Sequence, residues 1–178
     1  QMSKATPTSA IAKFAAGGKK TKKKDLGMMA ISYNDVYVAQ IAIEANPMQA
    51  IKAIQEAENY PGPSLIIGYT PCISHGLRGG MGQTIQESKD AVESGYWQLY
   101  RYDPRLAAKG KDPMRIDYKK ADFSKMSAFL ENQTRFSALH SVKKDEQEVQ
   151  DMLQHTVDVM TERSENYNRL AAYKKVKE

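Results

Sequence analysis

The sequence predicts an α/β fold, a mostly parallel sheet flanked by helices and followed by a helical C-terminal tail. Three observations carry this. "VYVAQIAI" (36–43) and "SLIIGY" (64–69) are short, nearly continuous apolar runs, the pattern of strands covered on both faces. Between them "ANPMQAIKAIQEAENYPG" has helical spacing, so strand, helix and strand succeed one another with short connectors as a βαβ unit. From Phe123 onward the periodicity is that of helices. The expected division is an α/β portion over 1–122 and a helical extension over 123–178 packing on it.

Taken in order, residues 9–16 read as a short helix ended by Gly17-Gly18, and 25–31 as another. In the βαβ helix, Asn46 is the expected N-cap and Pro47 suits the first helical position. Met48, Ile51, Ile54 and Ala57 recur on one face, which makes them its expected core-facing stripe. "TIQESKDAVESG" (84–95) is an amphipathic helix closed by Gly95. "YWQLYRYD" (96–103) reads as a strand, and 104–122 as a polar connection punctuated by Pro and Gly. The last helix, from about Asp145 to Tyr173, sets Val149, Met152, Leu153, Met160, Tyr167 and Leu170 on one stripe.

At 178 residues the chain is long enough to bury a core of its own. No apolar run approaches the roughly 20 residues of a membrane helix. A single cysteine, Cys72, excludes an intramolecular disulfide and fits a reducing, cytoplasmic compartment. Residues 1–24 lack the apolar segment of a signal peptide. Gln1 does not read as a natural start, so a longer polypeptide is expected. The net charge of +5 resides in "KKTKKK" (19–24), which holds five lysines, and the remainder of the chain is net neutral. One local cluster lacks the interleaved aromatics or arginines that a nucleic-acid module normally adds. It reads as an exposed, mobile loop beside glycines, with a docking patch for an acidic partner as the alternative.

In open parallel sheets, functional groups collect beyond the C-terminal ends of strands. Pro71-Cys72-Ile73-Ser74-His75-Gly76 occupies that position after "SLIIGY". Three readings stand: an inert buried thiol, a nucleophile activated by His75, and a metal or cluster ligand. An iron–sulfur cluster takes about four cysteines, so the third reading needs ligands from outside this chain. "GLRGGMG" (76–82) lacks the Gly-Lys-Ser/Thr ending of a phosphate loop and reads as a flexible connection. Glu44, Glu56 and Glu58 have no acidic partner at a fixed spacing and read as solvated, and His140 and His155 as surface residues.

Three blocks, "QMSKATPTSAIAKFAAGGKKTKKKDLGMMAISYNDVYVAQIA", "AENYPGPSLIIGYTPCISHG" and "SGYWQLYRYDPRL", closely resemble the C-terminal part of the thiamine-diphosphate-binding domain of pyruvate:ferredoxin (flavodoxin) oxidoreductases. The resemblance covers essentially the whole chain. It implies part of an enzyme that oxidatively decarboxylates pyruvate with CoA to acetyl-CoA and CO2. Thiamine diphosphate, Mg2+ and 4Fe-4S clusters are its implied cofactors, and ferredoxin or flavodoxin its electron acceptor. The full-length chain is implied to be a homodimer. The family's cysteine in "PC-x-x-HG" is the fourth ligand of the cluster nearest thiamine, which carries over to Cys72. Of the family's thiamine motif, a GDG and an Asn-containing stretch ending in "NTGGQ", only the last letter is present, as Gln1. Gln1, Ser3 and Lys4 are therefore implied to border the thiamine site of an intact enzyme. The Mg2+-binding residues lie outside, and the chain alone is expected to be inactive.

Two function classes follow: a fragment of this oxidoreductase, or a basic α/β interaction module using 19–24 to bind an acidic protein or nucleic acid.

Overall fold

The protein is described by a computed structural model over residues 3–172. Its central strand β1, Tyr37–Ile41, is buried along its whole length. Side chains alternate across a strand. Tyr37, Ala39 and Ile41 therefore meet Ala50 and Ala53 on one face, while Val38 meets Tyr100, Tyr102 and Tyr167 on the other. Helix α1, Leu26–Ile31, precedes this strand, and Asp25 accepts the Met28 N–H at 3.0 Å to cap it. Helix α2, Pro47–Glu58, begins as its spacing predicts, with Asn46 accepting the Gln49 N–H at 3.0 Å. The chain returns as β2, Ser64–Gly68, parallel to β1 with Val38 opposite Leu65 and Ile41 opposite Gly68. The βαβ unit is there.

Helix α3, Thr84–Glu93, ends where Gly95 takes φ +77°, a left-handed conformation that suits glycine. Beyond it, β3 (Tyr100–Tyr102) pairs antiparallel with β1, and after the short α4 (Pro104–Ala108) β4 (Met114–Ile116) pairs antiparallel with β3. The sheet order is β2-β1-β3-β4. It is a mixed sheet, in which the parallel pair is extended by two antiparallel pairings. The segment read as a polar connection thus contains β4, whose three residues are too few for alternation to show. Helices α5 (Met126–Asn132), α6 (Thr134–Ser137), α7 (Leu139–Val142) and α8 (Glu146–Ala171) complete the fold. Of the expected α8 stripe, Val149, Met152, Leu153, Met160 and Tyr167 are buried and Leu170 is exposed; Tyr173 lies outside the described residues. Among the described residues no helix is long and apolar enough to cross a membrane.

Helix α2 sits the other way round from its expected face. Met48 is 72% exposed, and Ile51 and Ile54 also face outward, while Gln49, Ala50 and Ala53 are buried. The reason is a buried cation. Arg101, in the middle of β3, points to the α2 side, where Asp117 takes its Nε and Nη2 at 2.8 Å each and Glu56 takes Nη1. Glu56 also accepts the Tyr37 hydroxyl at 3.0 Å, and the Gln49 amide donates to Asp117 at 2.9 Å. A buried guanidinium needs such partners, so α2 presents Gln49 and Glu56 with small alanines between them. Glu56 is therefore not a solvated residue. Asp117 hydrogen bonding holds Arg101 more firmly protonated than a free arginine. Strand β2 is also more open than a strand covered on both faces, because it forms a sheet edge and its ends are exposed.

The N-terminal expectations change most. Residues 9–16 form turns closed by a bridge between Ala12 and Ala15 instead of a helix, with Ser9 at φ 65°. Ser9 N–H donates to Lys19 O at 2.7 Å and Lys19 N–H to Ala10 O at 3.2 Å, so long-range pairing takes the groups a helix would use. The lysine run is correspondingly not one mobile loop. Lys19 is 0% exposed, and its ammonium donates to Thr6 O at 2.7 Å and Lys4 O at 3.3 Å. Lys24 N–H reaches Lys4 O at 2.9 Å, Lys23 N–H the Thr8 hydroxyl at 3.2 Å, and Arg163 of α8 the Lys23 carbonyl at 2.8 Å. Lys20, Lys22 and Lys24 have exposed side chains, and Lys20 and Lys22 pair with Glu148 and Glu162. The run is a strap tied to residues 4–8 on one side and α8 on the other.

Replacing Lys19 by Ala leaves two acceptors without their charged donor, and is expected to cost more than about 2 kcal/mol in urea unfolding. Lys20→Ala, on the same run, should stay within about 0.5 kcal/mol. Equal effects would contradict the strap.

Candidate functional site

The C-terminal end of β2 is anchored before it becomes a loop. Tyr69 N–H donates to Ile41 O at 2.9 Å, and the Trp97 indole N–H reaches the same carbonyl at 2.9 Å. The buried Tyr69 ring lies 5.5 Å from Trp97 and 6.5 Å from Tyr96, and burial pushes its phenol well above the ordinary tyrosine range. From this aromatic base the chain runs through buried Pro71 to Cys72, which is half-buried, and then through the exposed Ile73, Ser74 and His75.

The loop folds back on itself. Gly76 N–H donates to Cys72 O at 2.8 Å, and Gly76 adopts φ +79°, where a residue without Cβ is favoured. This turn sets the His75 Nδ1 3.0 Å from the Cys72 Sγ. Sequence spacing alone does not bring these two side chains together; the turn does.

The far end of the loop is tied to the junction of α5 and α6. Gly76 O accepts the Thr134 N–H at 3.3 Å, Leu77 bridges to Gln133, and Arg78 N–H donates to Asn132 O at 2.9 Å. Asn132 is held in turn by Glu87 of α3, whose Oε2 accepts its amide at 2.6 Å. Glu87 is buried, with Oε1 unpartnered, and burial raises its carboxyl above the ordinary range. Its support of Asn132 is not readable from sequence, since residues 45 positions apart meet only in the fold.

Of the expected thiamine-proximal residues, Gln1 lies outside the described residues. Ser3 and Lys4 are exposed in the N-terminal segment beside the strap; Ser3 Oγ accepts the Ala5 N–H at 3.1 Å, and Lys4 O receives Lys19 and Lys24. Pro7, at the end of this segment, shares a cavity of about 210 Å³ with Tyr69 and Thr70. The structure thus brings the N-terminal segment and the end of β2 to one place. Among the described residues no three of His, Cys, Asp or Glu converge on a metal site. Cys72 and His75 are one thiol and one imidazole without a third ligand. "GLRGGMG" is a turn sequence with Gly80 N–H on Leu77 O at 3.0 Å and Gly80 at φ +84°. His140 bridges Glu131 and Glu146 in the chain's helical part.

The fragment of fold carrying this loop has named relatives. The pyruvate:ferredoxin oxidoreductase of Moorella thermoacetica is 55% identical over 139 residues, which is 78% of this chain and 12% of that protein. The pyruvate-flavodoxin oxidoreductase of Klebsiella pneumoniae is 54% identical over 140 residues, 79% of this chain and 12% of the relative. The chain is homologous to a segment of the pyruvate:ferredoxin and pyruvate-flavodoxin oxidoreductases. A third relative, the mitochondrial pyruvate dehydrogenase [NADP(+)] of Euglena gracilis, is 47% identical over 171 residues, covering 96% of this chain and 9% of that protein. The chain spans about an eighth of the length of the first two relatives and less of the third. No protein-family model matches it.

In this segment, Glu87 makes a pH-dependent prediction. Its carboxyl titrates higher when folded than the ordinary 4.5, so the folded state binds more protons than the unfolded one above pH 4.5. Stability therefore falls as pH rises from 4.5 through the raised value. Glu87→Gln retains an acceptor for Asn132 and removes the charge. Its unfolding free energy should lose that slope and match or exceed the parent's at pH 7. A parallel pH profile for both proteins would contradict this.

Proposed function

We propose that the chain is the part of a pyruvate:ferredoxin or pyruvate:flavodoxin oxidoreductase that supplies Cys72 as one thiolate ligand to a 4Fe-4S cluster. The observation that carries the reading is the placement of Cys72, a half-buried thiol at the C-terminal end of a parallel strand. It stands on a buried aromatic base and in a loop tied at its far end to α5 and α6. The donor fits: thiolate sulfur is the usual protein ligand of iron–sulfur clusters. His75 Nδ1, 3.0 Å away, is positioned to take the proton that the thiol loses on ligation. The remaining ligands would come from other parts of the polypeptide. When bound, the cluster supplies one-electron transfer; the residues of this chain hold the sulfur and fix its direction.

In the same reading Ser3 and Lys4, with Gln1, border thiamine diphosphate and its Mg2+, whose own ligands lie elsewhere in the enzyme. The reaction is oxidative decarboxylation of pyruvate with CoA to acetyl-CoA and CO2. Electrons pass to ferredoxin or flavodoxin, in a cytoplasmic homodimer. Residues 1–122 form the α/β part and 123–178 the helical extension. The outward Met48, Ile51 and Ile54 and the open edge of β2 support a role inside a larger assembly, with the rest of the same polypeptide covering them. The relatives' length supports the same view. The rival, a basic interaction module, is disfavoured by the strap, because Lys19 is consumed by backbone carbonyls.

The test is made in a full-length oxidoreductase carrying this segment. Cys72→Ala should remove one cluster's share of iron and sulfide, delete its electron paramagnetic resonance signal, and stop reduction of ferredoxin. Cys72→Ser should leave a labile cluster, since oxygen matches iron–sulfur chemistry poorly. Full iron content and normal ferredoxin reduction in Cys72→Ala would reduce Cys72 to a packing residue.

A further inference from the structure

The cavity shared by Pro7, Tyr69 and Thr70 has a second property. Lys23 of the strap, Arg135 of α6 and Arg163 of α8 all line it, and no carboxylate does. Arg163 is engaged, through its bond to Lys23 O and a 3.5 Å approach to Asp25, which also accepts the Tyr167 hydroxyl. Arg135 and the Lys23 ammonium make no ion pair among the described residues. Arg135 Nε is buried without an acceptor, although its guanidinium is held at 5.2 Å over the Phe136 ring. Gln98 Nε2, also on the cavity wall, is a second buried donor without an acceptor.

Donors left in this state are costly, since a buried N–H without an acceptor loses its water and gains nothing. The cations also crowd one another. Burial first, then Arg135, Arg163, Lys19 and Lys24, bring the Lys23 ammonium down to about 8. Among the carboxylates nearby, Asp25 is committed to α1, Tyr167 and Arg163, and Glu87 to Asn132. What would relieve both the orphan donors and the crowding is one negative group with several lone pairs.

We propose that this cavity binds a small oxyanion, the phosphate or carboxylate group of a ligand, through Lys23, Arg135 and Gln98. Its volume of about 210 Å³ is below the roughly 300–1,000 Å³ of pockets for whole ligands, and suits a single charged group. Arginine supplies a directional fork and lysine a point charge, a pairing suited to either oxyanion. Cys72 does not line the cavity, so this site stands or falls separately from the cluster reading.

The experiment titrates the 178-residue chain with sodium phosphate and, in parallel, sodium acetate, each against sodium chloride of equal ionic strength. Calorimetry gives the stoichiometry, and NMR of the lysine side chains follows the Lys23 titration. Saturable binding of one anion per chain is expected, with the Lys23 titration moving up from about 8 by roughly one unit. Arg135→Gln and Lys23→Gln should each weaken binding at least about tenfold, the loss of one charge-assisted bond, while Lys20→Gln leaves it unchanged. Tighter phosphate assigns the site to a phosphate ester, and tighter acetate to a carboxylate. The proposal is overturned if neither anion acts beyond chloride, or if the variants that retain cooperative melting bind as the parent does. Should Arg135→Gln fail to fold, Lys23→Gln, which removes no buried orphan donor, decides the same question.

Discussion

Arg101 is the constraint around which the sheet is assembled. It lies in the middle of β3, opposite Ala39 of the central strand, where its charge is largely cut off from water. Its bidentate bond to Asp117 and its contact with Glu56 join β3, the end of β4 and α2, and Gln49 and Tyr37 add α2 and β1 to the same network. Breaking such a group by removing one partner typically costs about 3–5 kcal/mol, because the other charge stays buried. The network also decides which way α2 faces. A helix whose apolar residues alone set its rotation would turn Met48, Ile51 and Ile54 inward; here the polar demand of Arg101 prevails, and those residues are left on the outside.

A second set of bonds ties the first residues to the last helix. The Ser9 hydroxyl donates to Met152 O, Thr156 donates to Thr8 O at 3.1 Å, and Arg163 holds the Lys23 carbonyl. Tyr167 packs 4.9 Å from Tyr100 and donates to Asp25, whose other oxygen caps α1. Helix α8 therefore reaches the sheet, the first helix and the strap at once. The same ties deliver Pro7 to the end of β2 and bring three cations to one cavity. The site region is thus made by contacts of very long sequence separation on a scaffold whose local elements are short.

The candidate site was legible in part. Cys72 could be placed beyond the C-terminal end of a strand because the apolar run before it and the proline and glycine around it are local signals. Its contact with His75 was not legible, since it depends on the turn closed by Gly76. Arg101 offered a weak signal, a lone cation inside "LYRYD", which in a buried strand demands a partner. Nothing local named Asp117 or Glu56 as that partner. Lys19 misled for a physical reason: in a run of lysines every member looks solvated, and only the fold singles out the one whose ammonium meets two carbonyls.

By itself the sequence determined the elements whose cause is local. The cap at Asn46, the βαβ order, the stop at Gly95, the start and most of the stripe of α8, and the position of Cys72 all follow from residues within a turn or two of one another. The three blocks around Lys4, Cys72 and Tyr100 likewise carried the family resemblance without any coordinates. Tertiary structure alone decided the antiparallel half of the sheet, the rotation of α2, the folding of 9–16 into turns and of the lysine run into a paired strap, and the gathering of Lys23, Arg135 and Arg163. In each of these a polar group had to find its partner across the chain. The hydrophobic period records which residues prefer burial, but it is silent on which buried donor will meet which acceptor.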